Sequence, residues 1–152
     1  MEQQSDQQHS DQQPSPAPGR GSVLVVDDDV AVGSAIRRTL RQFQVTYTQS
    51  TSGALACVAA GADFQAIVCD LHMPGMSGMQ FQEELRTIAP GLADRIVFVT
   101  GGAHTAEAAA FLERTTNRYL EKPFERGALV AAVVEAVDQA GSPRRPSVGL
   151  PR

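Results

Sequence analysis

Several side chains with reactive or ion-binding groups stand at the ends of short apolar runs. Ser22-Val23-Leu24-Val25-Val26 leads into Asp27-Asp28-Asp29, Val68-Cys69 into Asp70, Ile96-Val97-Phe98-Val99 into Thr100, and Tyr119-Leu120 into Glu121-Lys122-Pro123. Carboxylates gathered at one place repel, and at least one would hold its proton more tightly than a free Asp unless a positive group sat among them. A hard divalent cation meets that need. Magnesium suits it, because it takes one or two carboxylates, keeps waters and binds phosphate oxygens. Calcium would need spaced acidic ligands within one loop. Zinc would need His72 and Cys69, and Cys69 faces away from Asp70 on an alternating strand. A carboxylate beside such an ion is also a nucleophile toward phosphorus and forms an acyl phosphate. Catalysis of that step is mainly positioning and charge neutralisation. Asp70 fits the nucleophile, Lys122 the ammonium and Thr100 the hydroxyl.

Lys122 is also singled out by composition. Of the thirteen Lys and Arg residues it is the one lysine, which points to a site where a compact, flexible ammonium serves and a planar guanidinium does not. Asp29 reads differently from its neighbours. An acid at the start of a helix accepts from free backbone N–H groups, so Asp29 is expected to be a helix cap.

For these groups to converge, the chain must place its strand ends on one rim. Apolar runs at Ser22–Val26, Val45–Gln49, Ala66–Cys69, Ile96–Val99 and Arg118–Glu121 predict five strands, the first being buried on both faces. Between them Val32, Ile36, Leu40 and Phe43 recur at helical spacing, as do Phe81, Leu85 and Ile88, and Val130, Val133, Val134 and Val137. Ser50–Ala60 starts on capping residues and reaches Gly61, and Thr105–Arg114 is an Ala-rich helix that ends near Asn117. Strand and helix alternating five times predict an α/β fold with a parallel sheet covered on both sides. Such sheets bind ligands at the carboxyl ends of their strands.

A chain of 152 residues suits one core with tails. Residues 1–21, rich in Gln, Ser and Pro and repeating Ser-Asp-Gln-Gln, predict a disordered tail, and residues 141–152 a flexible basic one. The domain is expected at 22–140. The net charge is −4, with −5 over 22–140 and +3 over 141–152. An acidic core repels phosphate backbones, which argues against direct nucleic-acid binding. No apolar run approaches membrane-span length and the first residues lack a secretory apolar stretch, so a cytoplasmic protein is expected. Cys57 and Cys69 have the spacing of neither a redox pair nor a zinc knuckle.

Over its folded part the chain resembles the receiver domains of two-component response regulators. The similar segments are Val23-Leu24-Val25-Val26-Asp27-Asp28-Asp29, Val68-Cys69-Asp70-Leu71-His72-Met73-Pro74-Gly75-Met76-Ser77-Gly78, Val97-Phe98-Val99-Thr100-Gly101 and Tyr119-Leu120-Glu121-Lys122-Pro123-Phe124. The resemblance implies a flavodoxin-like, doubly wound five-stranded parallel sheet of order 2-1-3-4-5 with five helices. It implies that Asp27, Asp28 and Asp70 hold Mg2+ with the backbone carbonyl of His72. Asp70 would accept a phosphoryl group from a sensor histidine kinase or a histidine phosphotransfer protein, and Lys122 would pair with that group. A cis peptide bond is implied before Pro123, a form that proline makes tolerable. Thr100 and Tyr119 would form the switch together with Gly101. The fourth helix, fifth strand and fifth helix, about 105–140, would dock a downstream protein, and a phosphorylation-dependent dimer is compatible with this.

A phosphoryl group adds roughly −1.5 to −2 charge at a site with donors waiting. Moving a two-state equilibrium from mostly off to mostly on takes about 5.5 kcal/mol of differential interaction, within reach of several charge-assisted contacts. Two features depart from the common pattern: Gly101-Gly102 after Thr100 predicts a looser switch loop, and His72 places an imidazole beside the phosphoacceptor, where it would tune hydrolysis of the acyl phosphate.

The leading expectation is a free-standing signalling phosphoacceptor rather than an enzyme, without an output domain of its own, acting by docking. The alternative is a receiver-like interaction module that works without phosphorylation. A hydrolase with an Asp nucleophile would have a second Asp two positions on, where this chain has His72. A nucleotide-binding domain would need a glycine-rich turn where this chain has acids.

Overall fold

A computed structural model describes residues 21–102 and 105–141. Apart from Gly21 and Gly141, the two expected tails lie outside the described residues. The elements follow in the order β1 (Ser22–Val26), α1 (Val30–Thr39), β2 (Gln44–Thr48), α2 (Thr51–Ala59), β3 (Ala66–Asp70), α3 (Gly78–Ile88), α4 (Pro90–Ala93), β4 (Ile96–Thr100), α5 (Ala106–Arg114), β5 (Tyr119–Glu121) and α6 (Arg126–Gly141). All strand pairs are parallel and the sheet order is β2-β1-β3-β4-β5.

Alternation along the central strands divides the core in two. Leu24, Val26, Ile67, Cys69, Ile96 and Phe98 face one side and pack with Ala54 of α2, Phe81 and Leu85 of α3, Leu92 of α4 and Phe111 of α5. Val23, Val25, Ala66, Val68, Val97 and Val99 face the other, against Ile36 of α1 and Leu129, Ala132, Val133, Ala136 and Val137 of α6. Burying each large apolar side chain stabilises the fold by about 1.5–3 kcal/mol, which is why β1, β3 and β4 are continuously apolar. Helices α1, α2 and α5 start on side-chain caps: Asp29 accepts from the N–H groups of Ala31 and Val32, Ser50 from Gly53 and Thr105 from Ala108. Ser77 forms a capping box with Gln80.

The structure departs from the sequence expectations in several places. There are six helices among the described residues, because Pro90 opens the short α4 with a φ preset for a first helical turn. Leu92 and Ala93 of α4 then fill the core below the end of α3, leaving Ile88 exposed. Val134 is exposed too, since the pair Val133 and Val137 takes the buried stripe and the adjacent residue is rotated away. Phe43 is buried, but beyond the end of α1. β2 begins and ends one residue earlier than expected, and β5 starts at Tyr119.

A buried polar network ties α3 and α4 to the turn before β5. Gln82 Nε2 donates to the Ala93 carbonyl (2.9 Å) and to Asn117 Oδ1 (3.1 Å), while Asn117 Nδ2 donates to the carbonyls of Ala93 (3.1 Å) and Ile96 (2.8 Å). Groups with these partners are stable in the interior; without them each would carry an unmet desolvation penalty.

Candidate functional site

Strand register brings the acidic groups together. Val26 pairs with Cys69, so Asp27 and Asp70 emerge side by side from β1 and β3, the two neighbours at the point where strand order reverses. Thr100 pairs with Glu121, and the Lys122 N–H donates to the Thr100 carbonyl at 2.8 Å, which sets Lys122 one residue beyond the rim.

Asp27 is 1% exposed and Asp70 7%. One oxygen from each of Asp27, Asp28 and Asp70 lies within 4.8 Å of the others. Lys122 Nζ stands 3.4 Å from Asp70 Oδ2 and 3.6 Å from Asp27 Oδ2. Asp70 Oδ1 accepts from the His72 N–H at 3.1 Å. Asp27 is gripped at its other groups: its N–H donates to the Thr48 carbonyl (3.2 Å), its carbonyl accepts from the Tyr47 hydroxyl (2.8 Å), and its Oδ1 accepts from the Asp29 N–H (2.9 Å). Its Oδ2 is buried without a hydrogen-bond partner among the described residues.

Burial pushes the Asp27 carboxyl above its usual range. The Asp29 N–H opposes that shift, the charge of Asp70 adds to it, Lys122 opposes it and Asp28 adds again. The single lysine therefore leaves the carboxylates incompletely compensated. An orphaned buried carboxylate oxygen facing two others is a donor set that fits a hard, oxygen-seeking divalent cation.

The switch candidates lie along the same rim. Thr100 is fully buried; its hydroxyl donates to the Gly102 carbonyl and accepts from the Gly102 N–H, both at 3.0 Å. Gly102 has φ +128°, a conformation that L side chains rarely adopt, and this folds the loop back over the hydroxyl. His72 Nε2 contacts the same Gly102 carbonyl at 2.8 Å. Gly101 is exposed, and a side chain there would meet open space. Tyr119 is 40% exposed, and the Lys122–Pro123 bond is cis. Asp29 stands apart from the carboxylate group as the cap of α1.

Three positions that sequence reading did not single out shape this site. Gly78 lies against the end of β3: a Cβ there would sit 2.7 Å from the Asp70 carbonyl oxygen and 3.0 Å from Leu71 Cα. Tyr47 reaches across from β2 to the Asp27 carbonyl, and Gly33 makes room for its ring. A tyrosine near the end of the strand paired with β1, and a glycine one turn into the helix after the acids, were the available signals.

Residues 23–134 match the family profile of the response regulator receiver domain. The chain is 36% identical over 113 residues to the transcriptional regulatory protein FixJ of Azorhizobium caulinodans, covering 73% of this chain and 52% of that protein. It is 34% identical over 121 residues to the hydrogenase transcriptional regulatory protein HoxA of Bradyrhizobium diazoefficiens, covering 78% and 24%. It thus spans about half of the first relative and a quarter of the second. Among solved structures, a response regulator receiver domain protein from Clostridium thermocellum superposes with a TM-score of 0.68 at 24% identity over 79% of this chain and 96% of that one, a likeness of fold. A chain described as adenylate cyclase from Rhodopirellula baltica superposes with a TM-score of 0.69 at 30% identity over 78% and 88%.

Proposed function

Since the chain belongs to the response regulator receiver domain family, we propose that it is a two-component phosphoacceptor in which Asp70 takes a phosphoryl group from the phosphohistidine of a sensor kinase or phosphotransfer protein. An Asp70 carboxylate oxygen attacks phosphorus, the bond from phosphorus to the histidine nitrogen breaks with its electron pair going to that nitrogen, and the ring, protonated on its other nitrogen, leaves as neutral histidine. Asp27, Asp28 and Asp70 would hold Mg2+ together with the His72 carbonyl, and an ion bound there would supply charge neutralisation for the transferring group.

The chain's own residues do the rest. Lys122 already faces Asp27 and Asp70 and pairs with the arriving phosphoryl oxygens. Thr100 gives up its bond to the Gly102 carbonyl and donates to the phosphoryl group. Tyr119, exposed on β5, turns inward as that hydroxyl moves, and the face formed by α5, β5 and α6 docks a downstream protein. Gly101 lets the loop follow. The His72 imidazole, on the same Gly102 carbonyl, tunes the lifetime of the acyl phosphate.

No helix among the described residues is long and apolar enough to cross a membrane, in keeping with the cytoplasmic site that a kinase-fed receiver requires. The observation that carries the reading is the orphaned Asp27 Oδ2, held in one cluster with Asp70 and Lys122. Mass spectrometry after incubation with acetyl phosphate and magnesium tests it. The parent should gain one phosphoryl group and Asp70→Ala none; an unmodified parent, or an equally modified variant, overturns the reading.

A further inference from the structure

Asp27 presents Oδ2, which makes no hydrogen bond and faces Lys122 Nζ at 3.6 Å, to the cluster, while every other hydrogen-bonding group on the residue is tied. Two of the three ties come from backbone. The third is the Tyr47 hydroxyl on the Asp27 carbonyl, at 2.8 Å. It comes from β2, which is hydrogen-bonded to β1 on the side away from β3. The tie depends on α1 as well: a Cβ at Gly33 would lie 2.3 Å from Tyr47 Cε1, 2.5 Å from Cζ and 2.8 Å from the hydroxyl oxygen. Any other residue at 33 would displace the ring. Glycine inside a helix is otherwise unfavourable by about 1 kcal/mol against alanine, so the ring's need for space outweighs helix propensity here.

We propose that Tyr47, seated on Gly33, is a positioning residue for the divalent-cation site: its hydroxyl fixes the Asp27 backbone and thereby aims Asp27 Oδ2 into the carboxylate cluster. This rests on the phosphoacceptor reading and adds a requirement outside the charged residues. A ligand's orientation is part of its affinity, and groups that hold ligands without touching the ion typically alter metal affinity tenfold or more.

The test is magnesium binding to the whole chain by isothermal titration calorimetry, with Tyr47→Phe keeping the ring and removing only the hydroxyl. The dissociation constant should rise about tenfold. Without metal, the unfolding temperature should shift by no more than about 5 °C. At saturating magnesium the variant should take up phosphate from acetyl phosphate at the parent rate. Gly33→Ala, which improves the helix while displacing the ring, should weaken magnesium binding in the same way. Unchanged affinity in either variant overturns the inference, as does a phosphorylation defect that excess magnesium does not repair. A parent that binds no magnesium overturns the phosphoacceptor reading and this inference together, whereas a parent that binds and is phosphorylated beside an unaffected Tyr47→Phe overturns the inference alone.

Discussion

Removing one charge from the acidic cluster should make the metal-free protein more stable. Asp27 is almost fully buried, with carboxylate oxygens of Asp28 and Asp70 within 4.8 Å and Lys122 Nζ 3.6 Å from its Oδ2. At an effective dielectric of about 20, each repulsion is about 3.5 kcal/mol and the single attraction about 4.6 kcal/mol. The balance on Asp27 is about 2 kcal/mol against folding, to which burial of the charge adds and the solvent around exposed Asp28 subtracts. Asp27→Asn keeps an acceptor for the Asp29 N–H and removes the repulsion. It should stabilise the protein by about 1–3 kcal/mol at neutral pH, raising the unfolding temperature by roughly 4 °C per kcal/mol. The pH dependence has a fixed sign. The folded carboxyl holds its proton above the ordinary value of 3.8, so the folded state binds more protons than the unfolded chain in that window. The contribution of Asp27 to parent stability therefore falls as pH rises from about 3.8 through the folded-state value and stays reduced above it, and the variant lacks this descent. Thermal unfolding by circular dichroism in a chelator, from acid to neutral pH, reads both effects. Added magnesium should stabilise the parent far more than the variant. An Asp27→Asn protein that unfolds at or below the parent temperature at neutral pH refutes the reasoning.

Lys122→Ala removes the one ammonium facing Asp27 and Asp70 and should slow phosphoryl uptake from acetyl phosphate by roughly a hundredfold, followed by intact mass over time. Gly78→Ala would drive a methyl into the Asp70 carbonyl; it should destabilise the protein by about 1–3 kcal/mol in urea unfolding and slow the same uptake. Asn117→Ala removes a donor from the Ile96 carbonyl and an acceptor from Gln82 Nε2, leaving the Ala93 carbonyl to Gln82 alone, and should cost about 2–3 kcal/mol in urea unfolding without changing magnesium affinity by calorimetry.

The sequence carried the sheet because β1, β3 and β4 are buried on both faces, which forces uninterrupted apolar runs that end abruptly in Asp27, Asp70 and Thr100. Parallel pairing then brings those ends to one rim whatever the loops between them do. Other features were not legible because they depend on distances across the fold. Tyr47 looks like an ordinary aromatic in a strand until β2 is seen beside β1, and Gly33 looks like a weak point in a helix until the ring is seen above it. Ile88 and Val134 have the spacing of buried residues, but the core is filled by Leu92 and Ala93 of α4 and by Val133 with Val137, and both residues are left exposed. The Gln82–Asn117 network joins residues 35 positions apart, and no local pattern announces such a pair.

The central claim is that a phosphoryl group forms an acyl phosphate on one particular carboxylate. Borohydride reduces an acyl phosphate of aspartate to homoserine, so the protein phosphorylated with acetyl phosphate and magnesium can be reduced, digested and sequenced by fragment mass. Homoserine at position 70, lost when magnesium is chelated before phosphorylation, is the predicted result; homoserine at another aspartate, or phosphate retained on a hydroxyl residue, would contradict it.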